Sequence, residues 1–148
     1  MHSSAHAPQY FCCGFTPNGI GDLISQLQRL YNLGRSFGLE FVFRQLPRNR
    51  WSPELDESDF LGLAIGERRI EELPGHTIVT VDGAAASHAL KEGRPLSSVL
   101  PAAMPNRAII EFIHTGEMYS NKIPVPIRFE MDLRAKMIQR HGDRKSVV

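Results

Sequence analysis

A strand–helix–strand pattern near the amino terminus constrains the fold of this 148-residue chain more than any other feature. Residues 10–15 form a short apolar run that the turn-forming sequence Thr-Pro-Asn-Gly ends. From Ile20, apolar residues recur every three or four positions, and Gly38 follows as a left-handed cap, which predicts an amphipathic helix. Residues 39–43 supply a second apolar strand. The order predicts a βαβ unit.

The remainder of the chain continues this alternation. Strands are predicted at residues 77–81 and 107–114, and helices at residues 60–65, at residues 84–90 and after Pro126. Right-handed crossovers place such helices against the faces of a parallel sheet. The predicted fold class is therefore α/β, a three-layer Rossmann-like domain with a mostly parallel sheet.

The domain boundaries follow from the two ends of the pattern. Residues 1–9 are polar and precede the first strand, so we expect a flexible arm, and residues 10–148 form the Rossmann-like domain. Residues 146–148 have the composition of a strand's first residues, and two valines do not fill a sheet position. We therefore expect the domain to be incomplete at its carboxyl end.

Charge and hydropathy exclude several classes of partner. Lys and Arg number 17 against 16 Asp and Glu, a net charge of +1, which disfavours nucleic acid as a partner. No run of about 18 apolar residues predicts a membrane span, and the amino terminus lacks the pattern of a signal peptide. The adjacent Cys12 and Cys13 point to opposite faces of a strand, which predicts reduced thiols and a cytoplasmic protein.

The loop before the first helix is the leading candidate for a binding site. Asn18, Gly19, Gly21 and Asp22 follow the first strand, where ligands of open α/β sheets bind, and helical amides there favour a diphosphate. The alternative is an ordinary turn, with Asp22 favoured only by the helix dipole. A dinucleotide fingerprint needs a further small residue that this helix lacks, and cysteine and histidine lack metal-ligand spacing. We therefore expect no cofactor and no metal.

Two residues at other strand ends are candidate catalytic bases. Asp82 follows the strand at residues 77–81, and His114 ends the strand at residues 107–114. Either could take the proton of an attacking hydroxyl. The alternatives are a turn aspartate and a hydrogen-bonded structural histidine. A further candidate is a platform for an anion or a sugar, and the alternative for the same residues is a solvated loop. The residues are Arg44, Arg48, Arg50 and Trp51.

Residues 15–43, FTPNGIGDLISQLQRLYNLGRSFGLEFVF, resemble the first strand, loop, helix and second strand of fucosyltransferase-like GT-B glycosyltransferases. This family includes the nodulation and the α-1,2-fucosyltransferases, whose opening reads roughly Gly-Gly-x-Gly-Asn/Asp. The resemblance implies that Gly19 and Gly21 allow close approach of a nucleotide sugar and that Asp22 occupies the Asn/Asp position. Asn18 stands where the family usually has glycine. It also implies that the chain is the truncated amino-terminal half of a GT-B fold.

The resemblance further implies the partners: a nucleotide-sugar donor, a saccharide acceptor and a missing carboxyl-terminal domain. The family's later motif, His-x-Arg-x-Gly-Asp, has a similar composition at residues 140–143, but there it follows a helix, so we interpret it as a helix cap. Heptosyltransferases are also similar at the first loop. The expected function is sugar transfer to a saccharide hydroxyl, by a chain that is inactive alone. The alternatives are a heptosyltransferase-like enzyme and a non-catalytic α/β binding module.

Overall fold

The computed structural model describes residues 7–14, 20–46, 53–119 and 128–142. In these ranges the chain forms one sheet of five strands, all pairing in parallel. The strands are β1 (Tyr10–Gly14), β2 (Glu40–Phe43), β3 (Arg68–Arg69), β4 (Thr77–Asp82) and β5 (Ala108–Ile113). The helices are α1 (Ile20–Ser36), α2 (Glu57–Phe60), α3 (Gly83–Lys91) and α4 (Leu133–His141), with 3₁₀ turns at Ile70–Glu72, Leu96–Val99 and Gly116–Tyr119.

The predicted fold class is confirmed: the domain is α/β, with a parallel sheet flanked by helices in the Rossmann-like manner. The strand order across the sheet is β3-β2-β1-β5-β4. β5 lies between β1 and β4, so β1 pairs in register with β5 along its whole length, from Tyr10 opposite Ile109 to Gly14 opposite Ile113. All carboxyl ends of the strands therefore lie at one edge of the sheet, and all amino ends lie at the other.

Helix α1 packs its apolar side onto β1. Leu23, Leu27 and Leu30 are buried together with Phe11 in the main core. Gly34 lets the helix approach the strand closely, because a Cβ at this position would overlap the ring of Phe11. The helix ends at Ser36, two residues before Gly38, and the φ of 81° at Gly38 is the left-handed turn that the sequence predicts there.

One face of the sheet is covered by helices, and the other is buried at its centre and partly exposed elsewhere. Phe11, Phe41 and Phe112 belong to the core that α1 and α3 cover. Strand alternation turns Cys12, Val42 and Ile109 to the opposite face, and each is at most 1% exposed.

The polar side of α1 forms hydrogen bonds to the chain just before α4. The side-chain oxygen of Asn32, which is fully buried, accepts hydrogen bonds from the amides of Arg128 and Phe129 at 2.8 and 2.9 Å. Gln28 both donates to the carbonyl of Met131 and accepts from its amide, at 2.8 Å each. This clamp fixes the chain leading into α4 against α1.

Several local predictions need adjustment. The short helix expected at residues 60–65 lies instead at Glu57–Phe60, where the carboxylate of Asp56 caps it by accepting from the amide of Asp59. The two-residue β3 was not predicted. The helix cap expected near residue 140 is confirmed, since Arg140 and His141 end α4 and Gly142 caps it with a φ of 86°. Of the expected arm, residues 1–6 lie outside the described ranges, as do residues 146–148.

Candidate functional site

Most of the residues that the sequence nominates lie at the carboxyl edge of the sheet. Asp82 is the last residue of β4 and pairs in register with Ile113, the last residue of β5. His114 follows directly, and its amide donates to the carbonyl of Gly14 at the end of β1. The structure therefore brings Asp82 and His114 to neighbouring strand ends, on the edge from which α1 also begins.

The loop residues are described only in part. Asn18 and Gly19 lie outside the described residues, whereas Gly21 and Asp22 belong to the first turn of α1. The side chain of Asp22 is exposed there. The first four amides of an α-helix have no partner within the helix, and the helix dipole makes this end electropositive. An acid at this position stabilises the helix, and a bound anion would meet the same amides.

Asp82 already has a structural role. Its Oδ1 accepts a hydrogen bond from the amide of Ala84 at 3.0 Å, so the carboxylate is the amino-terminal cap of α3. The next residue must be small, because a Cβ on Gly83 would lie 2.6 Å from the carbonyl oxygen of Ile113 and 2.7 Å from the sulfur of Met118. Asp82 itself is exposed, so a ligand could still contact its other carboxylate oxygen, Oδ2.

The side chain of His114 is largely buried. Its exposed fraction is 9%, and burial lowers the pKa of the imidazole below its ordinary value of 6.5, with the charge of Arg29 acting in the same direction. Arg29 itself is held by a hydrogen bond of 2.9 Å to the carbonyl of Met118. The ring is therefore held in the neutral form, which is the form that accepts a proton.

A polar cluster on the second face of the sheet was missed by the sequence reasoning. Glu111 of β5 accepts a hydrogen bond from the hydroxyl of Thr80 at 3.1 Å. It also forms an ion pair with Arg44 at 2.5 Å. Gly14 leaves room for this carboxylate, since a Cβ there would lie 3.0 Å from Glu111. Arg44, a candidate for an anion or sugar platform or for a solvated loop, pairs with Glu111 in the structure. Arg48, Arg50 and Trp51 lie outside the described residues.

The two cysteine thiols are unreactive. Both are free, and Cys12 is buried beside this cluster. Burial raises the pKa of the Cys12 thiol to about 12, with the negative charge of Glu111 adding to the effect. Burial also raises the pKa of Cys13. A thiol that stays protonated is a poor nucleophile and a poor metal ligand, so neither residue contributes reactivity to the carboxyl edge.

Two cavities open at the other end of the strands. One, of about 290 Å³, is bounded by the first residues of β1 and β5 and by His76, which precedes β4. The other, of about 310 Å³, lies at the start of β2 and is lined by Tyr31, Arg35 and Glu67 among others. Neither cavity includes the loop, Asp82 or His114, so the nominated residues and these cavities occupy opposite edges of the sheet.

A search for metal sites finds no group of three or more suitable side chains among residues 7–14, 20–46, 53–119 and 128–142. In the same part of the chain no helix has the length and apolar character needed to cross a bilayer. Comparison with known proteins gives no matching family model, no matching curated protein and no matching solved structure. The candidate site therefore rests on the geometry of this chain and on the resemblance of residues 15–43.

Proposed function

We propose that this chain is the amino-terminal part of a sugar-nucleotide-dependent glycosyltransferase of the fucosyltransferase-like kind, which transfers a sugar to a saccharide hydroxyl. The observation that supports it is the folded form of the resembling segment. β1 and β2 are parallel neighbours joined by α1, and the first turn of α1, with Asp22, follows the carboxyl end of β1. In an open α/β sheet this is where phosphate groups of a ligand are bound.

Each group at this edge would have a distinct task in such a reaction. The first-turn amides of α1 would stabilise the negative charge that grows on the leaving diphosphate. Neutral His114, or the free oxygen of Asp82, would accept the proton of the acceptor hydroxyl. The partners are a nucleotide-sugar donor, a saccharide acceptor and a carboxyl-terminal domain that completes the donor site. The proposal includes a cytoplasmic location, where nucleotide sugars occur with reduced thiols.

Donor binding tests the proposal. GDP-fucose, with ADP-heptose as the competing donor class, is titrated into residues 1–148 by calorimetry or NMR. We expect saturable binding, and Asp22→Ala should weaken it about 10-fold, equivalent to about 1.4 kcal/mol, through a lost ligand hydrogen bond. Asp132→Ala, which removes the amino-terminal cap of α4 instead, is the matched control and should leave the affinity unchanged.

The outcomes separate the alternatives. Saturable binding of ADP-heptose without GDP-fucose would favour the heptosyltransferase-like reaction. Equal losses in Asp22→Ala and Asp132→Ala would show that the effect is structural. Residues 1–148 alone should transfer no sugar, because one loop supplies only part of the donor contact, and turnover by this chain with any nucleotide sugar would contradict that expectation.

A non-catalytic α/β binding module is the second candidate. It is favoured by the fact that Asp82 serves as a helix cap and that His114 is 9% exposed, so both have structural explanations. A module of this kind would bind none of the nucleotide sugars. Failure of GDP-fucose, ADP-heptose and free GDP to bind would therefore decide for it.

A further inference from the structure

The cavity at the amino edge of the sheet, bounded by Tyr10, His76, Asn106 and Arg107 and closed on one side by residues 7–9, has no role in the proposed reaction. It is separated from the carboxyl edge by the length of β1, roughly 15 Å for five residues. Its volume of about 290 Å³ equals the liquid volume of about ten water molecules, which suits a ligand of about ten non-hydrogen atoms.

The walls of this cavity are fixed by the sheet itself. The carbonyl of Gln9 accepts from the amide of Glu40 at 2.9 Å, which holds the chain just before β1 against the start of β2. The carbonyl of Arg107 accepts from the amide of Thr77 at 2.7 Å, which holds the start of β5 against β4. Gly75, with a φ of 80°, turns the chain into β4 close to Arg107. The shape therefore exists before any ligand arrives.

The lining is rich in hydrogen-bond donors and holds no carboxylate. Arg107 is exposed and takes part in none of the ion pairs found among the described residues. Asn106 adds an amide, and the ring of His76 lies edge-on to Tyr10 with 5.8 Å between centroids. A second guanidinium, that of Arg68, lies 5.7 Å from the Tyr10 ring centroid, but it is already paired with Glu40 at 2.9 Å. The guanidinium of Arg107 is thus the uncompensated charge.

The ring of His76 adds a second feature that points to a ligand. Its Nδ1 is buried and has no hydrogen-bond partner within the part of the chain that the structure describes. A buried acceptor without a partner costs less than a buried N–H without one, so in the neutral ring the proton belongs on Nε2. The Nε2–H donor then belongs to a ring that lines the same cavity as Arg107.

We infer that this cavity binds a small organic anion whose phosphate or carboxylate group is held by Arg107 with help from His76 and Asn106. A guanidinium fork matches the paired oxygens of either group, and charge-assisted hydrogen bonds of this kind are the strong ones. The site is independent of the proposed sugar transfer, since it uses different residues at the opposite edge of the sheet.

The test follows the imidazole signals of His76 by NMR while inorganic phosphate, benzoate or chloride is added to the full chain at constant ionic strength. Phosphate or benzoate should produce a saturable shift, and the one that saturates identifies the anion class. Arg107→Gln should weaken the affinity at least 10-fold. Arg94→Gln, which removes an exposed arginine that pairs with Glu92, is the matched control and should leave the affinity unchanged.

Three results would overturn the inference. These are a linear response with no saturation for both phosphate and benzoate, an equal response to chloride, and an equal loss in Arg94→Gln and Arg107→Gln. Should Arg107→Gln fail to fold, Asn106→Asp places a negative charge in the same wall and must also abolish the saturable shift. Retention of the shift in that folded variant would count against the site.

Discussion

The two edges of the sheet use their polar groups differently. At the carboxyl edge Asp82 caps α3 and Arg44 pairs with Glu111, while the buried hydroxyl of Thr115 has no hydrogen-bond partner among the described residues. At the amino edge, Arg107 and the Nδ1 of His76 have no such partner among the described residues, and a cavity lies beside them. Asp82 and Arg44 at the carboxyl edge therefore contribute to stability, whereas the exposed guanidinium of Arg107 at the amino edge is available to a ligand.

The largest expected difference between the two edges is the loss of stability when a glycine gains a methyl group. Gly83→Ala should destabilise the fold by about 2–3 kcal/mol, because its Cβ would meet the backbone carbonyl of Ile113, which moves only with the sheet. Gly75→Ala at the amino edge should cost only about 1 kcal/mol, from its left-handed backbone, since the nearest atom is 3.8 Å away. Chemical denaturation of both variants measures the difference, and equal costs would break the comparison.

A smaller effect concerns hydrogen bonding. Asp82→Ala removes the cap of α3 and should lower the free energy of unfolding by about 1 kcal/mol. His76→Phe keeps a ring next to Tyr10 and removes a buried nitrogen without a partner, so it should change stability by less than about 0.5 kcal/mol. A larger loss in His76→Phe than in Asp82→Ala would show that the amino edge is the structurally engaged one.

The smallest effect is a change in the pH dependence of stability. Because burial lowers the pKa of His114, the unfolded chain takes up a proton more readily than the folded chain. The stabilisation is complete above the ordinary pKa of 6.5 and is lost as the pH falls through the lower folded pKa. Denaturation between about pH 8 and about pH 5 should show this fall, and His114→Gln should flatten it.

The control is His88→Gln, the same substitution at an exposed position of α3, and an equal flattening in both variants would show that the effect is not specific to His114. A profile that His114→Gln does not alter would mean that His114 is as accessible to protons in the folded chain as in the unfolded one. Its assignment as a buried neutral base would then be wrong.

The elements that the sequence predicts well are those with a regular apolar period. The apolar period from Ile20 predicts α1 and its end near Gly38. The β-branched run at residues 77–81 predicts β4. β3 was missed because it consists of two exposed arginines, Arg68 and Arg69, which join the sheet only through pairing with β2. The position of β5 between β1 and β4 was not predicted either, because long-range pairing decides strand order.

The candidate site was predictable only where local chemistry defines it. Asp82 before a glycine suggests a turn aspartate from sequence alone, and in the structure its carboxylate caps α3. The pairing of Arg44 with Glu111 joins positions 67 residues apart, and the folded sheet alone brings them together. The same is true of Asn32, which lies on the polar side of α1 and is buried because it holds the amides of residues 128 and 129.

Mapping of GDP-fucose on the full chain by amide chemical shifts tests the central claim, that the carboxyl edge is the nucleotide-sugar site. The account predicts saturable changes at residues 20–23 and at His114 and Thr115, with Tyr10 and Arg107 unaffected. Saturable changes confined to the amino-edge cavity, or no saturable change anywhere in the chain, would contradict it.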